Sequence, residues 1–230
     1  MILCYIKEKE GVFMANVKKH VKKDRIIKFY GKMHSLHHRY IAKSRMFNVS
    51  FKDIRILNVN FKGAIITNSS FKNAVITNCE FLGTNLSKCN FQGAKIKNCV
   101  FMGTKLKGTN FKNATFENVI FAMQNLKECK NLLLFSNTNR IVKQITKIKL
   151  LDELQKQIDI YHDLSKDKIT HLLKLGEKKY NYLHISILLE HFTQEQLAFA
   201  IKNMISKRIF NIQTIFDFEK NCKKELDMLH

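Results

Sequence analysis

The chain has 230 residues, 45% of them apolar, no proline or tryptophan, and a formal net charge of +21. That length holds one large domain or two small ones, and no apolar run approaches the roughly 18 residues a membrane-spanning helix needs. The six cysteines, Cys4, Cys79, Cys89, Cys99, Cys129 and Cys222, make no Cys-x-x-Cys pair; this weakens zinc and thiol-redox readings and leaves reduced thiols in a cytosol as the expectation.

Residues 1–43 read as a basic N-terminal segment, with 11 Lys/Arg against 3 Asp/Glu. Met1 to Glu10 is too short and too charged for a secretory signal, and Met14 offers an alternative start. Val17, Val21, Ile26, Ile27 and Tyr30 have rough helical spacing among lysines, which predicts a helix that caps the next domain. Lys18, Lys19, Lys22 and Lys23 are its candidate anion-binding residues. His34 and His38 would share a face of such a helix, but without cysteines or many carboxylates nearby they make a poor metal site.

From Ser44 to Lys130 the chain repeats. Phe51, Phe61, Phe71, Phe81, Phe91, Phe101, Phe111 and Phe121 stand ten apart without a gap. Midway between them run Met46, Ile56, Ile66, Ile76, Leu86, Ile96, Leu106, Phe116 and Leu126, so the true period is five. Two residues before most centres is a small or β-branched residue, and two after is usually Asn, Gly or Asp, which suit tight corners. Such a period fits neither a helix nor simple strand alternation; it fits a chain that turns a corner every five residues.

The pattern, clearest in Ala64-Ile65-Ile66-Thr67-Asn68 and Cys79-Glu80-Phe81-Leu82-Gly83, resembles the pentapeptide-repeat family. The resemblance implies a right-handed, quadrilateral β-helix with four pentapeptides per coil, here just over four coils. Side chains twenty apart then stack, giving two interior phenylalanine columns. Cys79 and Cys99 fall in one column as small buried thiols. A known branch of that family protects DNA gyrase by mimicking DNA with an acidic surface. The net charge of +9 over residues 44–130 excludes that role here.

Function belongs to the outward positions. Lys52, Lys72 and Lys112 follow their phenylalanines on one face and form a candidate anion-binding ladder. On the opposite face Leu82, Met102, Val100 and Ile120 predict an exposed apolar patch, a site for a partner, a second copy or the chain's own helices.

Residues 131–230 read as a bundle of four or five helices. After the break at Asn131, Leu132 to Phe135 is suited to plugging the solenoid. Ile141, Ile145, Ile148, Leu151, Leu154 and Ile158 predict one long helix. A short helix comes next, starting at Ser165 or Asp167 and ended by Gly176. Another runs through Tyr180, Leu183, Ile187 and Leu188. Thr193 with Gln196 forms a capping box for a further helix, and the last reaches Leu229.

No catalytic motif stands among these residues, and neither a metal nor a cofactor is implied. The expectation is a non-enzymatic, cytoplasmic protein-interaction scaffold, oligomerisation remaining open. The alternative is a nucleic-acid or anionic-membrane binder acting through the basic segment and the lysine ladder. Bacterial effectors delivered into host cells also set pentapeptide repeats beside helices, and that analogy extends the expectation to a host cytoplasm.

Overall fold

The structure is a computed structural model that describes residues 35–165 and 171–228, together with the backbone of 4–7 and 12–15. The chain divides into two units, Met1–Lys143 and Gln144–His230. The first begins with an antiparallel pair, β1 (Cys4–Lys7) and β2 (Val12–Ala15). Met14 and Ala15 are therefore strand, and the rest of the expected capping helix up to His34 lies outside the described residues.

The first unit winds as a right-handed, four-sided β-solenoid of about five turns. Two adjacent faces share a six-stranded parallel sheet. Its strands are β3 (Ser35–Tyr40), β5 (Arg55–Asn60), β7 (Val75–Glu80), β8 (Lys95–Met102), β9 (Thr115–Ala122) and β10 (Arg140–Val142). A third face carries β4 (Arg45–Phe47) and β6 (Ile65–Thr67), extended by bridges from Ile65 to Asn85 and Asn85 to Lys105. The fourth is a ladder of bridges, Ser50 to Ser70, Asn90, Asn110 and Lys130. Every one of these pairings joins residues twenty apart.

Three local features hold that register. Corner residues two after a centre take positive φ, as in Asn58 (53°), Asn78 (52°), Asn98 (50°) and Asn118 (51°), which Asn tolerates better than most residues. The phenylalanines stack face to face. Ring centroids are 4.7 Å apart for Phe51–Phe71, 4.5 Å for Phe71–Phe91, 5.0 Å for Phe61–Phe81 and 4.5 Å for Phe81–Phe101. Aromatic pairs of this kind add about 0.5–1.5 kcal/mol beyond their buried area. Thirdly, the small inward slots carry side chains that satisfy carbonyls of the previous coil. Thr84 Oγ1 donates to Phe61 O (2.9 Å), Thr104 Oγ1 to Phe81 O (2.7 Å), and Cys89 Sγ to Ile66 O (2.9 Å).

The stacked coils outrun the repeat read from sequence at both ends. Leu36 and Ile41 are buried in the same core, and β3 pairs with β5 in register, Leu36 against Ile56. At the other end Ile141, placed in sequence within a long helix, lies in β10 against Phe121. The reason is the twenty-residue register, which side chains carry through the irregular last coil: Val119 N donates to Asn139 Oδ1 and Asn139 Nδ2 to Phe116 O, both at 3.0 Å. The helix starts only at Asp152.

The second unit contains α1 (Asp152–Leu164), α2 (Tyr182–Leu189), α3 (Gln194–Ser206) and α4 (Ile215–Asp227). Between α1 and α2 is an antiparallel pair, β11 (Lys174–Gly176) and β12 (Lys179–Tyr180). Gly176 therefore belongs to a hairpin and does not end a helix. Thr193 and Gln196 make the expected capping box, with both reciprocal bonds. Leu154, Ile158, Leu188, Leu197, Ile201, Met204, Ile215 and Phe218 are buried here.

Candidate functional site

The apolar patch read from sequence is not open. Val100 and Ile120 are fully buried, Met102 is 8% exposed and Leu82 half-buried. The register does align Glu80, Val100 and Ile120 in one outward column and brings Met102 beside Ala122.

The Phe-faced lysine ladder is present but broken. Lys52 Nζ lies 3.5 Å from Asp53 Oδ2. Asp53 accepts a hydrogen bond from Asn73 Nδ2 at 3.0 Å. That bond, with the charges of Lys52 and Lys72, holds its carboxyl below the usual value. Lys72 is half-buried, Gln92 interrupts the column, and Lys112 is exposed. Lys18, Lys19, Lys22, Lys23 and His34 lie outside the described residues. His38 is used at a corner, where Asn58 Nδ2 donates to its Nδ1 at 3.2 Å.

Around the corner that precedes the Phe face, the structure sets Lys112 of that ladder beside five lysines that the Phe-faced reading missed. Lys88, Lys105, Lys107, Lys112, Lys127 and Lys130 are all exposed. Backbone bonds fix them on successive coils: Lys88 N to Lys107 O (2.9 Å), Gly108 N to Glu128 O (2.8 Å) and Phe111 N to Lys130 O (2.9 Å). Lys88 takes φ 59° at the corner itself, and its Cγ lies 3.6 Å from where a Cβ on Gly108 would stand. Its stem therefore runs along the ridge toward the next coil. Among the described residues none of the six is ion-paired, and Glu128 is the one carboxylate on the ridge. Counting every column twenty apart, not only those beside phenylalanine, would have found them.

The last coil leaves an apolar end. Leu132 and Leu134 pack against the core, whereas Leu133 and Phe135 point outward, 56% and 88% exposed. They rim a cleft of about 330 Å³ lined also by Phe111, Ala114, Phe116 and Ser136. Asn131, where the period calls for an apolar centre, is instead exposed with φ 55° and lines the cleft.

In the second unit Lys174, buried, donates to Asp159 Oδ1 at 2.7 Å, and the Tyr180 hydroxyl lies 3.3 Å from both Asp159 oxygens. Burial, and secondly Asp159, push the Tyr180 hydroxyl up to about 12. This cluster ties the β11–β12 hairpin to α1. His184 is also structural, its Nδ1 lying 2.8 Å from Leu172 O. Among the described residues no helix is long and apolar enough to cross a membrane, and no group of three or more His, Cys, Asp or Glu is placed to hold a metal ion.

Comparison with known proteins agrees with the repeat. The model for pentapeptide repeats (8 copies) matches residues 57–93 and 84–121. Among solved structures, a pentapeptide repeat protein from the Arabidopsis thaliana thylakoid lumen is 18% identical. The match covers 56% of this chain and 74% of that one, at TM-score 0.37. HetL, a pentapeptide repeat protein involved in heterocyst differentiation regulation in Nostoc sp. strain PCC 7120, is 12% identical over 51% of this chain and 61% of its own, TM-score 0.33. QnrB1, a plasmid-mediated fluoroquinolone resistance protein, is 16% identical over 39% and 54%, TM-score 0.26. Among curated proteins none matches the chain in sequence. Residues 57–121 are thus pentapeptide repeats, and the stacked coils of the first unit are built on them.

Proposed function

We propose that the protein is a non-enzymatic interaction scaffold that docks a protein partner at the open end of its solenoid. The observation that supports this most is Phe135, 88% exposed beside Leu133 at the rim of a cleft that joins apolar side chains to Asn113, Thr115, Asn131 and Ser136. A large aromatic held in water beside a cleft is the usual anatomy of a binding hot spot. The solenoid interior is filled by stacked side chains with no lumen, which supports a role for the surface rather than for an enclosed site. An acidic DNA-mimic role does not fit, because the outward columns are rich in lysine.

The test is the double variant Leu133→Ser, Phe135→Ser. Both side chains are more than half exposed, so the fold should keep its thermal stability. The protein captured by the wild-type chain should then be lost, with affinity falling at least about 30-fold, the scale of one 2 kcal/mol hot spot. Unchanged capture by a folded double variant would overturn the reading.

A further inference from the structure

We infer that the lysine ridge formed by Lys88, Lys105, Lys107, Lys112, Lys127 and Lys130 binds duplex nucleic acid through its phosphates. The inference goes beyond the protein-docking end, because no ridge lysine lines the cleft. Six ammonium groups against the single carboxylate of Glu128 stand on the two faces that meet at the Lys88–Gly108 corner, over three successive coils. At about 4.8 Å per coil they span about 10 Å of solenoid axis, comparable with the roughly 12 Å groove that separates the two phosphate rows of a duplex. Like charges held this close repel, and a row of phosphates relieves that repulsion while releasing its condensed counterions. Between the lysines stand short polar side chains, Asn85, Ser87, Asn90 and Asn110, whose amides and hydroxyls suit contacts to phosphate and sugar.

The chemistry of the ridge selects among anionic partners. A single strand is normally held by aromatic platforms interleaved with the charges. The exposed aromatic of this face, Phe47, lies three coils from Lys107, beyond the ridge. A membrane-binding surface interleaves its lysines with apolar side chains that enter the headgroup region; here the exposed apolar pair, Leu133 and Phe135, stands after Lys130 at the end of the last coil and not between the lysines. What remains is sequence-independent contact with a phosphate backbone.

The experiment uses the full chain and a fluorescent 20-base-pair DNA duplex, with its single strand and vesicles containing phosphatidylserine as comparison probes. Six phosphate contacts predict a slope of about −5 in log K against log salt, a roughly thousandfold loss between 50 and 200 mM. Lys107→Glu with Lys127→Glu should weaken duplex binding by at least tenfold at 50 mM salt. Arg55→Glu with Lys95→Glu makes the same charge change on the opposite face, both residues being exposed, and should leave most of the affinity. Equal losses for the two pairs would reduce the effect to net charge and overturn the inference. So would tighter binding to the single strand or the vesicles than to the duplex, or duplex binding that ignores salt.

Discussion

At the scale of single residues, the corners carry more information than their exposure suggests. Gly93 and Gly103 occupy equivalent corner positions with φ of 66° and 60°. A Cβ at Gly103 would meet nothing within 4 Å, whereas one at Gly93 would come within 2.5 Å of Asn73 Oδ1. Asn73 cannot swing aside without losing its bond to Asp53. Gly93→Ala should therefore cost about 1 kcal/mol more than Gly103→Ala, read from paired urea melts; equal costs would show that Asn73 moves freely. The inward slots obey the same logic: a Thr or Cys there supplies a small donor that reaches the carbonyl one coil back, and its role is not reactivity. Burial accordingly pushes the Cys89 thiol up to about 12.

Among the elements, the decisive quantity is the twenty-residue coil. Removing residues 70–89 should leave a shorter solenoid, since Phe91 then stacks on Phe51 and every later column keeps its face. Removing residues 75–79 alone should delete all of β7 but Glu80 and rotate all later faces by a quarter turn. Circular dichroism and cooperative melting should be preserved in the first deletion and lost in the second. A five-residue deletion that melts like the parent would contradict the register.

The same coil explains what can be read in the sequence. The phenylalanine and isoleucine centres announce the middle coils because each one is apolar. The first coil is hidden because Leu36 and Ile41 lack the regular small partners before them. The last is hidden because Asn131 and Ser136 stand at centres, and Asn139 holds the register by amide bonds that no hydropathy pattern shows. The spacing of Ile141, Ile145 and Ile148 imitates a helix, yet strand pairing with Phe121 claims Ile141 first. Gly176 has the residue type of a helix stop, but it belongs to a hairpin whose anchor, Lys174 on Asp159, is tertiary. The expected apolar patch differs for a similar reason. Val100 and Ile120 point outward by pattern, yet both are buried, and a repeat pattern shows which way a side chain points without giving its exposure.

For the whole molecule, both proposed surfaces rest on columns that a rigid stack holds in line. The open apolar end and the lysine ridge exist only if residues twenty apart are neighbours along the same edge. That claim is tested most directly by oxidative cross-linking of engineered cysteine pairs. Ser87→Cys with Lys107→Cys joins adjacent coils in one column, about 4.8 Å apart and within disulfide reach. Gln92→Cys with Lys107→Cys, fifteen residues apart, places the thiols on neighbouring faces. Rapid disulfide formation is expected in the first pair, with native stability retained, and none in the second. Equal cross-linking of the two pairs, or preference for the second, would contradict the stacked register.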